Sequence, residues 1–367
     1  MAAWVKGGAV ETQAAIEAAV GLLAASHTPV FAGLCAELAA VRAAYRLADT
    51  IGASLDPAAG ADLYAELGPL TATGGMATTA AETLGRADLV LVVGARPWTG
   101  DFVAEVAGSS PSRGRTAGAE RAVLSLGGPQ NGATRHVAYG LGNHDLAVAL
   151  GYLRAFVKGH LAGEEALSDL AKRLSAAQYG VVIYDAGEIG ELGVEMLQGL
   201  IKDLNETTRF FGLGRADPFQ GRAVVQLAAW TTGQPPRVGF GRHQPEHDPW
   251  RFDSARQIAA GEADAALWLA SLPAPRPDWL SSLPSIAIVG EGSPEATPGT
   301  AEIVFSVGVP GESLGGALWH ERRGVVSYVE PKDDPGRSSA GLSAADVLAG
   351  IRDRLQDRLA SKKAASC

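Results

Sequence analysis

Cysteine is nearly absent from this sequence: 367 residues hold only Cys35 and Cys367. Two thiols cannot build a structural zinc cage or a four-cysteine iron–sulfur cluster, and a disulfide is not expected in a cytosolic chain. Positive charge is also in short supply. Against 40 Asp and Glu stand 31 Lys and Arg, a net charge of −9. A chain of that sign lacks the basic face that phosphate backbones and anionic lipid surfaces require, so neither nucleic acid nor a membrane is an expected partner. Long apolar runs are missing too. No stretch reaches the roughly 18 residues of a membrane span; the best, Ala18–Ala25, stops at Ser26-His27. Glu11 and Glu17 lie where a secretory leader would be apolar, and the expected location is the cytoplasm. Charged residues make up only 19%, which excludes a coiled coil and a disordered tail protein.

What is present is apolar residues, 47% of the chain, punctuated by 46 Gly and 20 Pro. That is enough for a sizeable core, and the length suggests about two or three domains. Short apolar runs alternate with helical patterns, the signature of a parallel sheet covered by helices. The expected strands are Pro29–Gly33, Asp88–Gly94, Ala122–Leu126, Gly180–Asp185, Arg209–Leu213, Asp264–Leu269, Ser285–Gly290 and Glu302–Val307. Several are nearly continuous Val, Ile and Leu, as strands buried on both faces are. Helical stripes recur at Leu38, Val41, Tyr45, Ala48 and at Leu192, Met196, Leu200, Leu204. A last helix starts at a capping-box-like Ser343 and Asp346 and carries Val347, Ile351, Leu355 and Leu359 in one stripe, with Lys362 and Lys363 at its end. Three segments read as loops or linkers: Gly108–Gly118, Gln234–Phe252 with its four prolines, and Asp333–Gly341.

Motifs that could carry chemistry are weak. His243-Gln-Pro-Glu-His247 has the H-x-x-E-H spacing of some zinc peptidases, which needs both histidines on one helical face. Pro245 inside it and Pro249 after it break such a helix, leaving a polar surface loop. Gly311-Glu-Ser313-Leu-Gly315 matches the nucleophile elbow G-x-S-x-G. Its Gly315-Gly316 argues against the helix that should follow. The next His, His320, precedes the next acidic pair Asp333-Asp334, so the triad order fails. Gly212-Leu-Gly214-Arg215 completes no phosphate-binding fingerprint and reads as a tight strand-to-helix turn. Asp185 and Glu188, at a strand end, suit a helix N-cap better than a catalytic base. Trp98, Trp230, Trp250 and Trp268 read as core or interface anchors.

Read as an ordered series, several segments do carry a resemblance. They are Ala48–Asp56, Thr79-Ala-Ala-Glu82 with Gly85-Arg-Ala-Asp88, Leu89–Pro97, Asn205-Glu-Thr-Thr-Arg-Phe, Gln226-Leu-Ala-Ala-Trp230-Thr-Thr-Gly233 and Gly261-Glu-Ala-Asp264-Ala-Ala. Over about residues 28–330 the chain resembles the B component of formylmethanofuran dehydrogenase, a tungsto- or molybdopterin protein. It departs from that family where the redox chemistry sits. No cysteine cluster precedes Cys35, Pro57–Ala87 holds no metal-ligating Cys, and the pterin loop is altered to Gly214-Arg-Ala-Asp-Pro-Phe-Gln-Gly221. A tungsten or molybdenum ion wants a soft anionic ligand.

That combination resembles the B component of the bacterial formyltransferase/hydrolase complex. The resemblance implies an α/β fold of two doubly wound, mostly parallel-sheet lobes like the central domains of molybdopterin oxidoreductases, plus a C-terminal helix. It implies one lobe from 1–60 with 161–334, an inserted lobe at 61–160, and a linker and amphipathic helix at 335–367. It implies a non-catalytic, architectural part of the assembly. The complex passes a formyl group from tetrahydromethanopterin to a methanofuran-like carrier and releases formate, with the chemistry on an amidohydrolase-like A component and a formyltransferase D component. The expected partners are the A, C and D components. No catalytic, cofactor-binding or metal-binding residue and no cofactor is expected in this chain. The alternative is a cofactor-bearing oxidoreductase component of the dehydrogenase type. The loop Gln234–Phe252 and the helix Ser343–Ser361 are the expected docking elements.

Overall fold

A computed structural model of the chain describes residues 2–58, 60–129, 136–163, 166–332 and 341–366, with side chains up to 361. The chain divides into two compact units. The first comprises Met1–Gly60, Asp217–His320 and Val325–Cys367; the second comprises Ala61–Ala216 with Glu321–Gly324.

Among the described residues the first unit is built on a nine-stranded sheet. Its centre is parallel, running Ser54–Pro57, Pro29–Gly33, Ala265–Ala270, Ser285–Gly290 and Ile303–Val307 in spatial order. Antiparallel pairs finish both edges: Ala3–Val5 with Gly8–Val10 on one side, Val238–Gly239 with Glu246–His247 on the other. The helices Thr12–Ala25, Leu38–Ile51 and Gly221–Thr232 cover one face, where Phe31, Leu55, Leu267, Ile288 and Phe305 form the core with Val41, Leu47 and Val224. Gly316–His320 and Val325–Val329 make a separate hairpin.

The second unit holds, among the described residues, a five-stranded sheet that is parallel throughout. Its spatial order is Val137–Tyr139, Ala122–Leu126, Leu89–Val93, Gly180–Tyr184 and Phe210–Gly214. Leu146–Val157, Ala166–Ser175 and Ala186–Leu204 pack on one face and Asp101–Ala107 on the other. Strands such as Leu89–Val93 are buried at every position, which is why they are continuous Val and Leu.

All eight expected strands are present, their ends moved by at most one residue. Three expectations need correction. The cut expected at residue 160 falls at 216, because Gly180–Tyr184 pairs with Leu89–Val93 and carries residues 161–216 into the second unit. The C-terminal helix, Ala344–Ser366, is not a separate element. Its Val347, Leu348, Ile351 and Leu355 are buried in the core of the first unit beside Leu38–Ile51 and Thr12–Ala25. Ser343 and Asp346 do form a reciprocal capping box at its start. The stripe expected to begin at Leu192 is rotated: Leu192 is 59% exposed, and Val194, Leu197, Leu200, Ile201 and Leu204 are the buried residues. The expected linker lies almost wholly outside the described residues.

Candidate functional site

In doubly wound sheets a ligand crevice opens where the strand order reverses, beyond the carboxyl ends of the strands. In the first unit that point lies between Pro29–Gly33 and Ala265–Ala270. Backbone bonds span it. The Cys35 amide donates to the Leu269 carbonyl and the Leu272 amide to the Cys35 carbonyl, both at 3.1 Å. Gly33 turns the chain there at φ +89°, and a Cβ would meet the Leu269 carbonyl and the Trp268 ring at 2.8 Å, so only glycine fits. Behind the turn lies Glu37, 6% exposed, which accepts a bond from the Ser271 hydroxyl at 3.1 Å. Burial pushes its carboxyl above the usual range, against its own backbone amide and Ser271, and the charge of Asp346 adds to the rise. The Cys35 thiol is buried against the Pro273 carbonyl. Burial first, and the charge of Asp217 second, push it up to about 12. Without a metal to draw off its proton, such a thiol is a poor nucleophile at neutral pH.

In the second unit the order reverses between Leu89–Val93 and Gly180–Tyr184. Asp185 caps the helix Ala186–Leu204 by accepting the Glu188 amide at 3.0 Å. It also receives Arg96 at 3.2 Å and Arg215 at 3.4 Å. The two oxygens of Glu188 take the amides of Ala95 and Arg96 at 2.7 and 2.8 Å. Gly94, at φ +85°, passes so close that a Cβ would come within 2.4 Å of that carboxylate. Both acids therefore hold the turn after the first strand against the start of the helix, a structural use.

The altered pterin loop adds a direct test of fit. Asp217 receives the amides of Phe219, at 2.8 Å, and of Gly221, where the helix Gly221–Thr232 begins. Amides at a helix start are what an incoming phosphate would use; here a carboxylate of the chain itself stands in that place. With Cys35 fully buried and Asp217 against these amides, the residues present do not fit a tungsto- or molybdopterin group.

The weaker motifs also have structural roles. His247 lies in the edge strand Glu246–His247, its Nδ1 on the Pro236 carbonyl at 2.7 Å, while Glu246 pairs with Arg242 and Arg251. Ser313 accepts the Val309 amide at 2.9 Å, and the element after it is the strand Gly316–His320, not a helix. Among the described residues no group of three or more His, Cys, Asp or Glu is placed to hold a metal ion.

One charged cluster has no counterpart among the sequence motifs. Arg237, buried with its backbone at φ +56°, donates from Nε to Asp56 at 2.8 Å and pairs through Nη2 with Asp253 at 2.6 Å. The other Asp56 oxygen takes the amide and hydroxyl of Ser254 at 2.9 and 2.8 Å. This cluster fixes both ends of the Pro-rich loop. Asp248 folds its tip by accepting the Trp250 and Arg251 amides, and Arg256 lies over the Trp250 ring at 4.2 Å. The loop is thus rigidly tied, yet it presents Trp250 outward, 70% exposed. The signal in the sequence is only an Asp at a strand end and an Arg after two prolines.

No family model matches the chain. It is 70% identical over 358 residues to the B component of the formyltransferase/hydrolase complex Fhc of Methylorubrum extorquens, covering 98% of this chain and 99% of that protein. It is 25% identical over 343 residues to the B component of the tungsten-containing formylmethanofuran dehydrogenase 2 of Methanocaldococcus jannaschii, covering 84% of this chain and 76% of that protein. Among solved structures, the crystal structure of the formyltransferase/hydrolase complex of Methylorubrum extorquens with methylofuran has a matching chain. It superposes with a TM-score of 0.93 at 70% identity, covering 97% of this chain and 99% of that one. Identity of this degree, sustained over almost the full length of both proteins, reaches well past a shared fold: the chain belongs to the family formed by the B component of the formyltransferase/hydrolase complex.

Proposed function

We propose that this chain is the non-catalytic, architectural B component of a formyltransferase/hydrolase complex, assembled with the A, C and D components. The observation that carries the reading is the 70% identity over 98% of the chain to the B component of such a complex. In the scheme the resemblance implies, the A and D components move a formyl group from tetrahydromethanopterin to a methanofuran-like carrier and on to formate. This chain supplies no step. In support, polar groups at both points where its sheets reverse are engaged within the chain: the Cys35 backbone with Leu269 and Leu272 in the first, Glu188 with the Ala95 and Arg96 amides in the second. The burial of Cys35, whose thiol rests against the Pro273 carbonyl, speaks against the cofactor-bearing alternative. We read the exposed Trp250 on its tied loop as a docking anchor, the type of residue that dominates interface energetics.

The test is activity of the assembled complex with Cys35→Ala, Glu37→Gln or Asp185→Asn in this chain. Formate release per intact complex should stay within about twofold of the parent. A fall of about a hundredfold with assembly intact, the size expected for a lost acid or base, would place a catalytic group here and overturn the reading.

A further inference from the structure

At the amino-terminal ends of its parallel strands the second unit has a cavity of about 710 Å³. Arg86, Arg113, Arg115 and Arg209 line it, and among the described residues no acidic side chain does. In a chain of net charge −9 this is a concentration of the scarcer sign. Arg86 pairs with Glu82 at 2.8 Å, one turn back on its helix. Among the described residues, Arg113, Arg115 and Arg209 join no ion pair and make no side-chain hydrogen bond.

Arginines at this edge have an ordinary use, and Arg121 shows it. Helices end here, with carbonyls left over at their last turns. Arg121 donates to the carbonyls of Leu84, Ala87, Val106 and Ser109 at 2.6 to 3.1 Å. The cavity arginines do nothing of the kind. One other feature of the wall suits a flat ligand. Tyr179 and Phe211 line the same cavity, with ring centroids 5.1 Å apart and planes 33° off parallel.

We infer that this cavity binds a nucleotide-like ligand, an organic polyphosphate carrying a flat ring. Guanidinium forks grip phosphate oxygens bidentately. Aromatic and guanidinium planes stack on a ring, and the volume is that of a small-molecule site. The inference stands apart from the proposed architectural role and can fail without it.

Isothermal titration of the full chain, and of the assembled complex, with ATP and with inorganic tripolyphosphate tests it. One ATP should bind per chain in both preparations. Arg113→Gln and Arg209→Gln, both at exposed positions that leave the fold intact, should each weaken ATP and tripolyphosphate about tenfold or more. Tyr179→Leu, checked for an unchanged melting temperature, should weaken ATP and leave tripolyphosphate unaffected. Four results would overturn the inference: no binding of either probe at millimolar concentration, binding indifferent to both arginine substitutions, equal loss of both probes in Tyr179→Leu, or binding by the free chain that disappears in the complex.

Discussion

Asp56 and Arg237 stand 181 residues apart in sequence and 2.8 Å apart in the fold, both buried. Removing one partner leaves an uncompensated charge inside, so Arg237→Ala should cost about 3–5 kcal/mol in urea unfolding. Asp56→Asn, which keeps most of the shape, should cost less. Nothing in the linear sequence pairs these residues, because a contact across that separation exists only once the strand Ser54–Pro57 meets Val238–Gly239. Glu37 makes a second test at this scale. Burial raises its carboxyl in the folded state. A raised folded value means stability that is full below the ordinary carboxylate range and lost as pH climbs through the raised value. Glu37→Gln removes that loss. The variant should match the parent near about pH 4 and melt higher than it near about pH 7; a gap that shrinks as pH rises would contradict this. The low cysteine count could be read at once, while the inertness of Cys35 depends on its burial, which the sequence does not display.

At the scale of elements, the C-terminal helix separates packing from exposure. Ile351 is fully buried and Leu359 is 43% exposed. Ile351→Ala should lose about 2–5 kcal/mol and Leu359→Ala no more than about 0.5 kcal/mol, both measured by urea unfolding. Deleting 341–367 should therefore unfold the first unit rather than release an intact protein from the complex, and a truncated chain with unchanged melting would contradict the observed packing. The Pro-rich loop behaves differently. Trp250→Glu should leave the melting temperature of the isolated chain nearly unchanged and lower the yield of assembled complex in pull-down. The central strands were legible because burial on both faces forces continuous apolar runs. The strand Ser54–Pro57 was not, since Ser, Asp and Pro give it no apolar pattern. Edge strands of two or three residues are also too short to show a period. The capping box at Ser343 was readable because its spacing is local, but the partner that the helix covers is not local and could not be read.

For the whole molecule, a parallel sheet covered by helices followed from the alternation of strand and helix patterns, and the family, with the doubly wound lobes it implies, from an ordered series of segments. The chain's return at residue 216 did not follow, because both sheets are built from the same kind of apolar run and no composition says which sheet a strand will join. Among the described residues no helix is long and apolar enough to cross a membrane. The central claim, proposed above, is that this chain serves its complex as a structural part and carries no redox cofactor. Native mass spectrometry of the chain, affinity-purified from its own host, tests that claim most directly. The account predicts an assembly containing three other kinds of polypeptide, from which this chain is released at the mass of the bare polypeptide. A chain that flies alone, or one released with the added mass of a metallopterin, would contradict it.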